Sequence, residues 1–316
     1  MPELIEVTPG SGEWLAARRG GVTATDIVTI LGLSSHDSVY SLYWRKLGQV
    51  PDEPDRDRFA LGRHMEPYIA GKWLAEHPLF TSAETALFRS DDRPWQLATP
   101  DRYVWSHAWP KTAPLECKAW ADADKKSWAA GPPPAVRAQL LWQMDVLDSS
   151  IGYWAVVFLP SGRFEHGELE QDGSYIPDGP DVDSPCPLCR DLKLMREAGE
   201  EFYRRLILEL PPPDLDSSAA TLAALRARFS PMASKQAEIG NGTYQKWLAA
   251  CDLIDEYKEM KREQEIIMRD QAGEATELSV DGEVIAKRLV FDSAVKAHTR
   301  HMDYYRRVKA KDDADE

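Results

Sequence analysis

Charged residues interrupt two neighbouring stretches of the sequence that otherwise have the composition of strands. The first, LATPDRYV, carries Asp101 directly after Pro100, and the second, PLECKAW, carries Glu116 and Lys118 two residues apart. Charged side chains are rarely buried in a strand unless they have a charged partner or a functional role. Because side chains alternate along a strand, Glu116 and Lys118 share one face while their apolar neighbours share the other. We therefore expect the charged pair to face a polar site.

The chemistry that these residues allow is the binding of a divalent cation. Asp101 precedes the strand of Glu116, and we expect the two carboxylates beside each other across the sheet, where they repel unless a cation lies between them. Carboxylate oxygens suit Mg²⁺, which keeps waters that a phosphate substrate can replace. An ammonium group at Lys118 can orient a water and offset phosphate charge. Taken alone, the Glu-x-Lys pair is also typical of an ordinary surface strand, so the surrounding elements decide between the two interpretations.

The composition indicates a globular protein without a membrane anchor. The chain has 316 residues, of which 43% are hydrophobic and 28% are charged. No apolar run approaches the roughly 18 residues of a membrane span, and the first residues, MPELIEVTPG, contain no secretory signal. Four cysteines are few for this length and suit a reducing compartment, so we expect a cytoplasmic location.

The net charge limits how the chain can bind nucleic acid. It is −14 at pH 7, with a pI near 5.0, which argues against a general nucleic-acid binder with a basic surface. It does not exclude a local basic face, because charge can be segregated and a metal site adds acidic residues of its own.

The order of the predicted elements is helix, three strands, helix and β-hairpin, the three strands being ETALFRS, PWQLATPDRYVW and APLECKAW. This order predicts an α/β (α+β) fold with a central mixed sheet flanked by helices. A helix over residues 59–77 repeats apolar residues every four positions and carries Glu66 beside that stripe. The helix AVRAQLLWQMDVLDSS carries Gln139 and Gln143 one turn apart. The following hairpin turns at Ser161-Gly162.

We place a domain boundary near residue 211, where PPPD ends a strong helix. Residues 1–210 then form the first domain, and residues 211–316 form a mainly helical extension. That extension contains a long amphipathic helix and a hairpin with a turn at Asp281-Gly282. The sequence assigns no role to residues 231–316.

The pair Cys186 and Cys189 has the spacing of half a zinc or iron–sulfur site. A closed site needs two further ligands, whereas Cys117 lies in a core strand and Cys251 lies far along a helix. We therefore favour a plain loop here over a zinc or iron–sulfur centre.

In combination, these motifs resemble the YqaJ-type viral recombinases, the family of phage lambda exonuclease, within the PD-(D/E)xK nucleases. The resemblance covers roughly residues 10–230. Its motifs, in chain order, are RRGGVTATDI at 18–27, LGRHMEP at 61–67, PD at 100–101, ECK at 116–118 and the glutamine helix AVRAQLLWQM. One departure is Thr25, where the family usually has serine; the hydroxyl is kept.

The resemblance implies a restriction-endonuclease-like core and a role for each residue of the acidic cluster. Asp101 and Glu116 would ligate Mg²⁺, for which Mn²⁺ is expected to substitute, together with the backbone carbonyl of Cys117. Glu66 would ligate or support a second metal ion, although on its own it is equally typical of a solvated helix residue. Lys118 would position or activate the attacking water.

The resemblance also implies a glutamine that assists catalysis and a site for the 5′ phosphate of DNA. Gln139 would hold the attacking water or the lysine, although taken alone it is more typical of a surface amide. Arg18 and Thr25 would bind the 5′ phosphate, since a guanidinium group forms bidentate hydrogen bonds with phosphate oxygens. Arg19 is a rival, but Arg18 lies seven residues before Thr25, as in the family.

As a whole, the resemblance implies a Mg²⁺-dependent 5′→3′ exonuclease that degrades linear double-stranded DNA and leaves 3′ overhangs for phage-type recombination. It further implies a homo-oligomeric ring, a trimer being favoured, and a single-strand annealing protein as partner, in the host cytoplasm if the protein is phage-encoded. Two other hypotheses stay open: an endonuclease or repair nuclease of the same fold, and a catalytically silent DNA-binding scaffold.

Overall fold

The structure is a computed structural model, and it describes residues 2–52, 57–107, 111–171, 186–229, 236–275, 277–281 and 283–287. Its contacts divide the chain into two compact units, residues 1–230 and 231–316.

The first unit is built around a five-stranded mixed sheet with the strand order β2-β5-β6-β7-β8. In this sheet β6 and β7 run parallel, and the other neighbouring pairs run antiparallel. A smaller antiparallel sheet has the order β1-β3-β4. The strands are β1 (Glu3–Ile5), β2 (Phe80–Glu84), β3 (Leu87–Arg89), β4 (Leu97–Ala98), β5 (Arg102–Ser106), β6 (Ala113–Ala121), β7 (Ile151–Leu159) and β8 (Arg163–Glu170).

Helices cover both faces of the five-stranded sheet. Helix α4 packs Ile69 and Trp73 against Leu115 and Cys117 of β6. On the other face, α2, α5 and α6 share a core with the aromatic and branched residues of β7. The predicted α/β fold, a central mixed sheet flanked by helices, is confirmed. The helices are α1 (Gly12–Arg19), α2 (Ala24–Ile30), α3 (Val39–Lys46), α4 (Asp57–Glu76), a 3₁₀ helix (Asp122–Trp128), α5 (Pro134–Val146), α6 (Pro187–Ile207) and α7 (Ala219–Arg228).

Two of the three strands predicted before α5 are divided in the structure. The stretch ETALFRS contains the end of β2 and all of β3, which belong to different sheets, because β3 pairs with β1, a strand that was not predicted. The stretch PWQLATPDRYVW contains β4 and β5, again in different sheets, separated at Pro100. Proline cannot donate to a ladder, which explains the break. The hairpin of β7 and β8 turns at Ser161-Gly162, as predicted.

Helix α7 follows the boundary that the sequence suggested near residue 211, yet its contacts are with α3. Thr221 Oγ1 donates a buried hydrogen bond of 2.8 Å to Ser38 Oγ, and Arg228 donates one of 2.9 Å to the Tyr40 hydroxyl. The contacts of residues 219–228 thus lie within the first compact unit. The division into domains 1–210 and 211–316 stays a prediction.

The second unit contains α8 (Asn241–Ala272), β9 (Glu277–Val280) and β10 (Glu283–Lys287). The two strands pair antiparallel, as predicted, and Gly282 of the predicted turn lies outside the described residues. Most of the acidic loop before Cys186, residues 172–185, also lies outside them. In the ranges that the structure describes, no helix combines the length and the apolar character that crossing a membrane requires.

Candidate active site

The register of β5 on β6 brings Asp101 to Glu116. Arg102 pairs with Leu115 in this ladder, so Asp101, one residue before β5, lies next to Glu116. Asp101 Oδ2 accepts a hydrogen bond of 2.8 Å from the backbone N–H of Cys117. The two carboxylates that the sequence placed on neighbouring strands therefore lie side by side.

Glu116 is the most deeply buried acid of this cluster, with 0% of its surface exposed. An ionised carboxylate in such a place needs partners, because its desolvation costs several kcal/mol. One carboxylate oxygen pairs with the ammonium group of Lys118. The other accepts a hydrogen bond of 2.8 Å from Gln143 Nε2. The charged face of β6 is thus directed toward α5, while Leu115 and Cys117 are buried on the side of α4.

The glutamine that reaches this cluster is Gln143, not Gln139. Gln143 is fully buried, and its Oε1 atom has no hydrogen-bond partner among the described residues. Gln139, one turn earlier on α5, is half-buried, and no contact to Glu116 or Lys118 is seen for it. A buried carbonyl oxygen without a partner is costly, so Gln143 Oε1 is available to accept a hydrogen bond from a bound water.

The charges of the cluster are unbalanced toward the acids. Burial, followed by the charge of Glu116, raises the pKa of Asp101 well above its ordinary value. Burial also raises the pKa of Glu66, although the nearby Lys118 opposes this effect. Burial alone would lower the pKa of Lys118, but the charges of Glu116 and Asp101 outweigh it and raise that pKa. Lys118 is therefore an ammonium ion, and the cluster still favours a further positive charge.

Glu66 belongs to the edge of this arrangement. It lies on α4 and is half-buried, and its charge interacts with those of Lys118, Glu116 and Asp101. Within the described ranges, however, no three His, Cys, Asp or Glu side chains come close enough together to hold one ion.

Arg18 and Thr25 line a second feature, a cavity of about 380 Å³ between α1, α2 and α3. Thr25 is exposed in the first turn of α2, whose N-cap is Thr23. The Arg18 guanidinium lies 4.4 Å from the ring centroid of Trp14 and donates a hydrogen bond of 2.6 Å to Thr99 Oγ1.

The Arg18–Thr99 bond connects the cavity to the acidic cluster, because Thr99 precedes Asp101 by two residues. Sequence reasoning did not single out Thr99, and no pattern in LATPD indicates such a role. Arg19, the rival of Arg18, pairs instead with Asp52.

Cys186 and Cys189 lie at the start of α6, where Cys186 is the N-cap residue. The expectation of a plain loop is therefore wrong for Cys189, which lies in the first turn of the helix, whereas Cys186 precedes the helix. Pro187 occupies the first helical position, where its missing N–H costs nothing, and this favours a helix start here. Both thiols are buried, and neither cysteine is part of a disulfide.

Comparisons with known proteins agree with the motifs. Residues 13–150 match the family model of the YqaJ-like viral recombinase domain. The protein YqaJ of Bacillus subtilis (strain 168) is 26% identical over 222 residues, which are 69% of this chain and 63% of that protein. The chain therefore matches less than two thirds of the length of this relative.

Two solved structures are similar at low identity. LHK-Exo, an alkaline exonuclease from Laribacter hongkongensis, is 18% identical, with a TM-score of 0.48 over 63% of this chain and 94% of that one. A phage-related exonuclease from Haemophilus somnus 129PT is 13% identical, with a TM-score of 0.41 over 60% of this chain and 96% of that one. Every candidate site residue lies within residues 13–150, the range that matches the family model, and this match agrees with the resemblance that the motifs indicate.

Proposed function

We propose that this protein is a divalent-metal-dependent 5′→3′ exonuclease that hydrolyses phosphodiester bonds of linear double-stranded DNA and leaves 3′ overhangs. The observation that supports this proposal best is the cluster on β6 and at the start of β5, where Asp101 and Glu116 lie side by side next to the Lys118 ammonium. The match of residues 13–150 to the model of a viral recombinase domain supports it further.

The donor set of the cluster fits Mg²⁺, and Mn²⁺ is expected to substitute. Asp101, Glu116 and the backbone carbonyl of Cys117 would hold the ion, and Glu66 would hold or support a second one in a two-metal arrangement. When bound, such ions make a coordinated water more acidic and offset the charge of the scissile phosphate. The raised pKa of Asp101, caused first by burial and then by the charge of Glu116, supports the fit, because a bound cation would stabilise the ionised carboxylate there.

Two side chains of the cluster would act on the attacking water. Lys118 pairs its ammonium group with Glu116 and has 24% of its side chain exposed, so it can orient the water and contact a phosphate oxygen. Gln143 Oε1, which is buried without a partner, can accept a hydrogen bond from the same water. We assign to Gln143 the role that the sequence suggested for Gln139.

Recognition of a DNA end would take place in the cavity of Arg18 and Thr25. A guanidinium group and a hydroxyl at a helix start suit a terminal phosphate. Such a site explains a preference for 5′ ends over internal positions, because only an end presents that group. The hydrogen bond from Arg18 to Thr99 fixes the guanidinium close to the segment that carries Asp101 just before β5.

A homo-oligomeric ring, with a trimer favoured, and a single-strand annealing partner complete the proposal. Both rest on the family. A ring also accommodates the net charge of −14, because a basic channel can coexist with an acidic exterior.

The proposal is tested by incubating the protein with end-labelled linear duplex and with closed circular duplex, in Mg²⁺ and in EDTA. We expect loss of nucleotides from the 5′ ends of linear DNA in Mg²⁺ and no change in circular DNA. Cleavage of the circle would favour an endonuclease instead. Binding without hydrolysis, in Mg²⁺ and in Mn²⁺, would favour a silent scaffold.

Replacing Gln143 by leucine is expected to lower kcat by about 10²-fold, because the water loses an acceptor and Glu116 loses a donor. The matched control is Gln139→Leu, on the same helix one turn away, which we expect to stay within about twofold of wild type. The check is the initial rate of nucleotide release at saturating linear duplex. A loss of kcat confined to Gln139→Leu would assign the role to Gln139. Equal losses of kcat in the two variants would show that the role does not belong to Gln143 alone.

A further inference from the structure

Lys46, a buried lysine of α3, holds together α1 and α2, which line the Arg18 cavity together with α3. The side chain of Lys46 is only 6% exposed. Its Nζ atom donates to the backbone carbonyls of Arg18, at 2.7 Å, and Gly21, at 2.6 Å. It also pairs with Asp26 Oδ2 at 2.6 Å. An ammonium group has three N–H donors, and each has an acceptor within the protein.

The three acceptors flank the proposed phosphate ligands on both sides. One is the carbonyl of Arg18 itself, near the end of α1. Another is Asp26, the residue after Thr25 in α2. The third, Gly21, lies in the turn between these helices, where an added Cβ would come within 2.4 Å of the Trp95 carbonyl. A single ammonium group therefore spans the turn that sets the separation between Arg18 and Thr25.

Asp26 connects this lysine to the start of α2. Its Oδ2 atom also accepts a hydrogen bond of 2.7 Å from the Thr23 N–H, and its own N–H donates to Thr23 Oγ1 at 3.3 Å. These two bonds form a capping box, which fixes the first turn of α2, where Thr25 presents its hydroxyl. The carboxylate that pairs with Lys46 is thus also part of the cap of α2.

A buried ion pair is a poor way to gain stability, because apolar residues of similar volume often stabilise a protein as much or more. What the pair provides is a fixed geometry. All three donors of Lys46 are used by the protein, so this side chain is suited to positioning the cavity wall and not to binding a ligand directly.

We propose that Lys46 is a positioning residue that sets the preference of the enzyme for 5′-phosphorylated DNA ends by holding Arg18 in register with Thr25. This inference rests on the proposed function. It adds a residue for which neither the motifs nor the comparisons indicate a role.

The test compares kcat/KM on linear duplexes that differ only in a 5′ phosphate or a 5′ hydroxyl, in Mg²⁺. For Lys46→Met we expect the phosphate-to-hydroxyl ratio to fall about tenfold or more, with the rate on hydroxyl ends nearly unchanged. Lys111→Met is the matched control, since Lys111 is 63% exposed, and it should keep the wild-type ratio.

A second variant removes the risk that Lys46→Met fails to fold around an unpaired Asp26. In Lys46→Met/Asp26→Asn both charges of the buried ion pair are removed together. The amide oxygen of the new asparagine can still accept a hydrogen bond from the Thr23 N–H. We expect the same loss of phosphate preference, with a circular dichroism spectrum like that of wild type. A wild-type ratio in this double variant, or equal slowing on both substrates, would overturn the role of Lys46. A wild-type protein that hydrolyses no linear duplex would instead overturn the proposed function.

Discussion

Replacing Lys118 by methionine is expected to lower kcat on linear duplex DNA by about 10³-fold or more, with a smaller change in KM. Methionine keeps most of the length of the side chain and removes the ammonium group that pairs with Glu116. The loss should appear in kcat because a group that orients the water acts mainly in the transition state. The measurement is the initial rate of nucleotide release in Mg²⁺ over a range of duplex concentrations.

This substitution also leaves Glu116 with Gln143 as its remaining partner, so a loss of stability must be separated from a loss of chemistry. Thermal unfolding of the variant, followed by circular dichroism, makes that separation. Lys111→Met removes an exposed ammonium group and should retain the wild-type rate. If folded Lys118→Met hydrolysed DNA at the wild-type rate, Lys118 would have no part in the chemistry.

Replacing Asp101 by asparagine is expected to abolish hydrolysis and, in EDTA, to raise the melting temperature at pH 8 by about 2–4 °C. Both effects follow from the loss of the carboxylate charge. That charge is needed to hold the metal ion, whereas in EDTA burial and the charge of Glu116 disfavour an ionised carboxylate at this position. The amide removes that charge and can still accept the hydrogen bond from the Cys117 N–H. An active site that lowers stability in this way is a common trade-off.

The gain in stability should depend on pH with a definite sign. Because the pKa of Asp101 is raised in the folded state, the folded protein retains a proton that the unfolded chain has released. The stability of the wild type therefore falls as the pH rises from about 3.9 through the raised pKa. The gap between Asp101→Asn and wild type should be small near pH 4 and largest at alkaline pH. A constant gap across this range would show that the charge of Asp101 is not the cause.

Much of the fold could be predicted because its signals are local. The cap of α2 is one such signal, since Thr23 bonds Asp26, three residues later, through both its side chain and its backbone. Val136, Leu140 and Met144 form an apolar stripe on α5, which is also a local signal, and all three are buried. The division of the early strands was missed because it depends on which partner each segment finds. No local signal shows that β3 pairs with β1 and not with β5.

The candidate site was predictable as a set of residue types but not in every position. Gln139 and Gln143 both precede an apolar residue of the α5 stripe by one position, so helical periodicity treats them alike. Only the placement of α5 over the sheet determines which turn reaches Glu116. The same limit applies to Lys46 and Thr99, whose contacts join segments distant in sequence.

The most direct measurement of whether these acids gather a divalent cation is a calorimetric titration of Mn²⁺ into the wild-type protein, Asp101→Asn and Asp148→Asn, without DNA. Asp148 is an aspartate with 76% of its side chain exposed, and it serves as the control. We predict that wild type and Asp148→Asn bind Mn²⁺ alike and that Asp101→Asn binds it at least about tenfold more weakly. Equal Mn²⁺ binding by wild type and Asp101→Asn would contradict the proposed site, and so would the absence of any binding to wild type.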